Sequence, residues 1–145
     1  SGADKLIVKT GGFRSRERAD YLHFDDLNNP ISSDYLFMDG TEIFNFTLER
    51  VPELVVESLK INSLRKEDID LFVFHQANKY MLNFLRRKIQ IPEERFYYNM
   101  ENIGNTVSST IPIALSAAFQ ERNIILGNNV LIAGFGVGYS WQALC

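Results

Sequence analysis

Two hydrophobic periods run along this chain, one of strand type and one of helix type, and the switches between them predict its elements. Residues 5–10 have an apolar centre of strand length. Residues 11–40 follow with Gly11-Gly12, Asn28-Asn29-Pro30 and the isolated aromatics Phe13, Tyr21 and Phe24, a mixture that suggests an ordered excursion over a surface. From Thr41 the apolar residues Ile43, Phe44, Phe46, Leu48, Val51, Leu54, Val55 and Leu59 recur at helical spacing, and Pro52, which has no N–H, predicts a bend or a split near Val51. Ser63 with Lys66-Glu67 resembles a cap and a short helical turn. The apolar run Leu71-Phe72-Val73-Phe74 reads as a buried strand, and Met81, Leu82, Phe84, Leu85 and Ile89 as the face of a helix whose last turn carries Arg86, Arg87 and Lys88, cations placed at the negative end of its dipole.

The same reading continues to the end of the chain. Residues 96–100 predict a strand and Gly104-Asn105-Thr106 a tight loop. Residues 108–119 predict a buried helix, with hydroxyl caps from Ser108 onward, Pro112 in its first turn and small apolar residues suited to close packing. Val130-Leu131-Ile132-Ala133 is a strand, Gly134-Phe135-Gly136-Val137-Gly138 a turn, and residues 139–144 a returning strand. Alternating strands and helices closed by a strand pair predict an α/β layered domain with a mixed sheet.

Composition narrows the class. With 145 residues, 46% of them hydrophobic and 23% charged, one core is sustainable and one domain, residues 1–145, is the expectation. The opening on a strand with nothing before it suggests a chain cut from something longer. Fifteen basic against eighteen acidic residues, scattered apart from short clusters, argue against nucleic acid as a partner. The single cysteine, Cys145, rules out an internal disulfide or a paired-cysteine metal site and fits a reducing, cytoplasmic setting. The sequence shows neither a membrane-spanning apolar run nor a signal-peptide pattern, so no membrane partner is expected.

Two turns carry the candidate chemistry. His75 stands at the end of the strand 71–74, where α/β sheets place their chemistry, and Asn105 sits in a second loop that leads from a strand to a helix. Taken singly, a histidine at such a place is commonly a hydrogen-bonded structural residue, and an Asn beside Gly is commonly there for its tolerance of positive φ. Together, a neutral imidazole and a carboxamide can donate hydrogen bonds to a thioester or enolate oxygen. No nucleophile accompanies them: Cys145 is terminal and no Ser or Thr has an activating base in its own motif. The glycines at 134, 136 and 138 lack the following helix that a dinucleotide turn requires, but they let backbone amides approach a reacting oxygen. Ser140 is not in a nucleophile elbow, because Gln142 replaces the second glycine. His23 has no acid–base or ligand set around it and reads as a packing or exposed residue.

In order along the chain, His75-Gln76-Ala77-Asn78, Asn102-Ile103-Gly104-Asn105-Thr106 and Gly134-Phe135-Gly136-Val137-Gly138-Tyr139-Ser140-Trp141 resemble the C-terminal half of a β-ketoacyl-acyl-carrier-protein synthase III. The resemblance implies a thiolase-like half of layered α/β/α architecture with a mixed central sheet. It also implies an acyltransferase of fatty-acid or related lipid synthesis that condenses an acyl thioester with malonyl-acyl carrier protein. On it, His75 and Asn105 are the catalytic pair, Phe135 lies beside the nucleophile, and Gly136 and Val137 belong to the turn that gives a backbone amide to the oxyanion hole. Met38, Gly40 and Phe44 resemble the segment lining the pantetheine tunnel, and Ala77 and Asn78 the residues beside the pantetheine arm. Implied partners are an N-terminal half bearing the nucleophilic cysteine, the acyl carrier protein, and a second copy in a homodimer. No cofactor is implied beyond the acyl thioester of coenzyme A or carrier protein, and no metal. Tyr80 stands where several members carry an arginine near the coenzyme A entrance, which bears on the acyl donor. Without the cysteine, the chain is expected to be inactive alone. The alternative is a non-catalytic partner that docks on a separate N-terminal half.

Overall fold

The computed structural model describes residues 2–19, 21–136 and 139–145, which fall into two compact units. The first unit holds residues 2–45 with Tyr139. The strand expected over 5–10 shrinks to β1, Leu6–Ile7, which pairs antiparallel with β4, Phe37–Met38. Between them β2, His23–Phe24, pairs antiparallel with β3, Pro30–Ile31. Asp25 organises the turn joining this pair: its Oδ1 accepts from Leu27 N and Asn29 N, and its Oδ2 accepts from Asn29 Nδ2, so the carboxyl sits below its ordinary range. The expected excursion over 11–40 is thus ordered by two-residue strands and side-chain-to-backbone bonds. His23 is exposed with its ring beside Tyr21, as its sequence context implies.

Helix α1, Gly40–Ile61, begins where Asp39 accepts from Glu42 N and pairs with Lys5 Nζ at 3.1 Å. Of the bend or split expected at Pro52, the split does not occur: the helix is continuous through 22 residues. Proline removes one backbone bond, whereas the helix buries Thr47, Val51, Val55, Ser58 and Leu59 on one stripe. That burial outweighs the single lost bond. The following turn departs from expectation as well. Ser63 is not a cap but sits in the left-handed region at φ 55°, and the short 3-10 helix Lys66–Asp68 is opened by Arg65, whose N–H donates to Asp68 Oδ2. Two guanidinium bonds from Arg65 add to this and hold the Asp68 carboxyl down at about 2.

The second unit holds residues 46–136 and 140–145, built on a mixed sheet of three strands in the order β5-β6-β7. β5 is Leu71–Phe74, β6 is Val130–Gly136 and β7 is Ser140–Leu144; β5 and β6 are parallel, and β6 and β7 antiparallel. The closing strand pair is therefore present, but Gly134, Phe135 and Gly136, expected in a turn, continue β6 instead. All four residues of β5 are buried. By the period-two rule Leu71 and Val73 share one face, where they cluster with Ala114, Ala118 and Tyr97, while Phe72 and Phe74 share the other, where Phe74 meets the ring of Phe96 edge-on at 4.9 Å.

Helix α2, Lys79–Ile89, is capped by Asn78, whose side chain accepts from Met81 N at 2.8 Å, and ends at Gln90 in the left-handed region. Helix α3, Thr110–Gln120, follows the 3-10 turn Val107–Ser109. It packs its small residues Ala114 and Ala118 against β5, but only this face is covered, and Phe119 on the other side is 58% exposed. The buried helix expected from its composition is thus buried on one face, through Thr110, Ala114 and Ala118. Among the described residues no helix is long and apolar enough to cross a membrane, and none of them gather into a metal-ligating group.

The strand expected over 96–100 is reduced to one parallel bridge, Phe72 to Phe96, with Tyr97 N donating to Phe72 O at 3.0 Å. Beyond that point Gln76, only 1% exposed, takes over the pairing. Its Nε2 donates to Phe74 O at 2.7 Å and to Tyr97 O at 3.3 Å, and its Oε1 accepts from Asn99 N at 2.9 Å. The carboxamide thus ties two backbone segments where the ladder ends. Replacing Gln76 with Leu strips these backbone groups of their partner, and each buried group left unpaired costs about 1–3 kcal/mol. We expect Gln76→Leu to lower unfolding free energy by at least that amount in denaturant titration; a loss of only a few tenths would disprove the tie.

Candidate active site

His75 is placed by the sheet itself. Its N–H donates to Ala133 O at 2.8 Å, extending the β5–β6 ladder one step past Phe74 and fixing the imidazole at the carboxyl end of β5. Ala77 N then donates to His75 O at 2.9 Å, and the tight turn leads to the Asn78 cap. The Phe135 ring stands edge-on to the imidazole, with centroids 5.4 Å apart at 83°. Phe135 is held there because residues 134–136 remain in β6, in register with Ser140–Gln142.

Asn105 lies on the loop before α3. Gly104 adopts φ 70°, which glycine reaches without steric cost, and its N–H donates to Met100 O at 2.9 Å to close the turn. The exposed Asn105 carboxamide accepts from Val107 N at 2.9 Å through Oδ1. Only the oxygen can accept from an N–H, so the amide orientation is defined and Nδ2 is the end with protons to offer. Lys79 Nζ and Glu101 Oε1, 2.9 Å apart, join the first residue of α2 to this loop across the surface.

Thr110, the first residue of α3 and 3% exposed, connects the two motifs. Its hydroxyl lies 2.6 Å from His75 Nδ1 and donates to Val107 O at 3.0 Å. A hydrogen-bonded path therefore runs from the His75 imidazole through the Thr110 hydroxyl to the main chain of Val107, and from Val107 N–H to Asn105 Oδ1. Val107 occupies this place at a cost, because φ is 57° and its β-branched side chain is poorly accommodated in the left-handed region. Neither Thr110 nor Val107 stood out in sequence. The only signal was the run Ser108-Ser109-Thr110, which reads as helix caps; in the structure Ser109 makes no capping bond and Thr110 turns its hydroxyl back to the preceding turn.

The other expected site residues are distributed as follows. Met38 lies in β4, Gly40 opens α1 and half-buried Phe44 follows on α1, all in the first unit. Ala77 and Asn78 adjoin His75 in the second unit, where Asn78 already serves α2 as its cap. Gly136 ends β6 opposite Ser140, and an added Cβ there would meet nothing within 4 Å. Val137 and Gly138 lie outside the described residues. A groove of about 450 Å³ opens elsewhere, along α3 between Asn99, Ile103, Pro112, Ile113, Ser116 and Gln120, and neither His75 nor Asn105 lines it.

Burial lowers the His75 pKa below the usual imidazole value, so the ring is neutral at pH 7. The unfolded chain takes up this proton near pH 6.5 and the folded one only at lower pH, so stability present above that value is lost as pH falls through the interval. Nuclear magnetic resonance should place the His75 midpoint below the usual imidazole value of about 6.5, and a midpoint at or above that value would refute the burial argument. For the strained residue, we expect Val107→Asn to raise stability by on the order of 1 kcal/mol, since Asn tolerates the left-handed region. A destabilised variant in thermal unfolding would contradict the strain.

Comparison with known proteins bears on this geometry. Residues 59–145 match the family described as 3-oxoacyl-acyl-carrier-protein synthase III, C terminal. A beta-ketoacyl-acyl-carrier-protein synthase III of Clostridium perfringens is 38% identical over 123 residues, covering 81% of this chain and 38% of its own length. One from Acaryochloris marina is 39% identical over 106 residues, covering 73% of this chain and 32% of its own length. In three dimensions the chain is similar to a crystal structure of a 3-oxoacyl-acyl-carrier-protein synthase III, with a TM-score of 0.94, 41% identity, and coverage of 99% of this chain and 43% of that one. The enzyme from Burkholderia xenovorans LB400 gives a TM-score of 0.82 at 41% identity, with coverage of 99% and 41%. The chain thus spans about two fifths of the length of these relatives, and its fold is the thiolase-like α/β fold they share. It belongs to the 3-oxoacyl-acyl-carrier-protein synthase III family, of which it represents the C-terminal part.

Proposed function

We propose that this chain supplies the histidine and asparagine half of a site for decarboxylative condensation of an acyl thioester with malonyl-acyl carrier protein, in fatty-acid or related lipid synthesis. The observation that carries the reading is the hydrogen-bonded path joining His75 to Asn105, with the Asn105 amide oriented so that Nδ2 has protons to offer. In the reaction the bond between the malonyl α-carbon and its carboxylate breaks, carbon dioxide leaves, and the electron pair moves onto the thioester oxygen as an enolate. Asn105 Nδ2 and the His75 imidazole hold that oxygen. The enolate carbon then attacks the acyl thioester on the nucleophile, and the nucleophile leaves as thiolate.

The nucleophilic cysteine belongs to an N-terminal half, so this chain is inactive alone. Phe135, edge-on to His75, borders the nucleophile, while Gly136 and Val137 contribute the backbone amide for the acyl oxyanion. Ala77 and Asn78, next to His75 in the second unit, lie beside the pantetheine arm. The acyl donor is a thioester of coenzyme A or of carrier protein, and Tyr80 in place of arginine favours a donor other than coenzyme A. Further partners are the acyl carrier protein and a second copy in a homodimer. The exposed groove on α3 supports a larger assembly, since it presents Ile103, Pro112 and Ile113 beside small residues.

The test uses the complete protein with radiolabelled acyl and malonyl thioesters. His75→Ala or Asn105→Ala lowers malonyl decarboxylation by on the order of 10²-fold or more, the scale for removing one oxyanion donor, and leaves acyl loading much less affected. Equal loss of both half-reactions would overturn the assignment.

A further inference from the structure

We propose that Thr110 is a positioning residue that decides which imidazole nitrogen of His75 carries the proton. Its hydroxyl has one proton and two neighbours, Val107 O at 3.0 Å and His75 Nδ1 at 2.6 Å. A carbonyl oxygen only accepts, so with the hydroxyl donating to Val107 O the remaining bond is made by Nδ1–H donating to Thr110 Oγ1. This arrangement forms two hydrogen bonds. The opposite one, with the hydroxyl donating to Nδ1, forms one and leaves the hydroxyl oxygen without a donor. Thr110 is nearly fully buried, where an unmade bond is not replaced by water, so the free chain holds His75 with its proton on Nδ1 and a bare Nε2.

The consequence for chemistry rests on the reading above, in which the imidazole donates to a thioester oxygen. A donor at Nε2 is reached with no net change of charge: Nε2 takes a proton from solvent, the proton on Nδ1 is lost to solvent, and the hydroxyl then turns from Val107 O to donate to the bare Nδ1. The net charge on the ring is unchanged. Burial disfavours the alternative outcome, in which both nitrogens stay protonated and the ring remains an imidazolium. Thr110 thus works as a two-position rotor, set toward Val107 in the free chain and toward His75 when an oxygen ligand occupies Nε2. The conformation of Val107 takes part, since it directs the carbonyl that receives the hydroxyl in the first position.

The tautomer is read directly by ¹⁵N resonance of the labelled imidazoles in this chain, which has only two histidines, with His23→Gln removing the other signal. The expected result is a protonated Nδ1 and a pyridine-like Nε2 in the wild type and in Thr110→Ser, which keeps the hydroxyl. Thr110→Val, of matching shape without the hydroxyl, should move the proton to Nε2, and Thr110→Ala serves the same comparison if the valine variant does not fold. A wild-type chain already protonated on Nε2 overturns the proposal, as does an unchanged tautomer in the variant that lacks the hydroxyl. Turnover is not part of this readout. A failure of the condensation reading, seen as equal loss of both half-reactions in His75→Ala, therefore stays distinct from a failure of the tautomer assignment.

Discussion

A strand buried on both faces must have every backbone group paired, and β5 meets that requirement with very little sheet. One edge is served by β6 along its whole length. Among the described residues the other has only the bridge to Phe96 and the bond from Tyr97 N, after which none of them adds a further strand. Gln76 completes the edge by behaving as a detached peptide group, donating to two carbonyls and accepting from one N–H. Because the strand is satisfied up to its last residue, the chain can leave the sheet abruptly, and His75 emerges at a fixed point. A more gradual fraying would leave the imbalance at the histidine.

The same economy shapes the Asn105 loop. The segment that Gln76 anchors at Asn99 runs directly into the turn closed by Gly104 N and Met100 O, so the asparagine motif hangs from the strand bearing the histidine. Thr110 then ties the start of α3 back to His75, and Ala114 and Ala118 seat that helix against β5. Their small side chains matter because they let the helix approach closely enough for Thr110 to reach the imidazole. Packing between helix and strand and bonding between hydroxyl and ring are thus two parts of one constraint.

How far this was legible in the sequence depended on the kind of interaction. Leu71 to Phe74, the apolar stripe of α2 and the closing strand pair announced themselves, because periodicity reports burial and burial is what forms them. Whether Pro52 would split its helix was not legible, since local propensity cannot weigh one missing bond against a stripe that includes Val51 and Val55. Residues 134–136 looked like a turn from their glycines, whereas pairing with Ser140 to Gln142 keeps them in β6. His75 and Asn105 stood out as residue types in known surroundings. Gln76, Val107 and Thr110 did not, because their roles lie in bonds to groups distant in sequence or in a backbone angle that no composition encodes.

Val107 shows why such a residue need not look exceptional. A glycine or asparagine would occupy its φ more easily, yet a valine is present, and the surrounding bonds hold it there from both sides. Its N–H is taken by Asn105 and its carbonyl by the N–H and the hydroxyl of Thr110. Left-handed backbone of this kind costs on the order of 1–3 kcal/mol and persists only where neighbours over-determine it. Releasing either neighbour would let Val107 relax toward negative φ, which would turn its N–H and carbonyl away from Asn105 and Thr110 and loosen both side chains together. The strain therefore couples the Asn105 carboxamide to the start of α3: the Thr110 N–H, which keeps its bond to Val107 O whichever way the hydroxyl points, holds the turn that orients the amide.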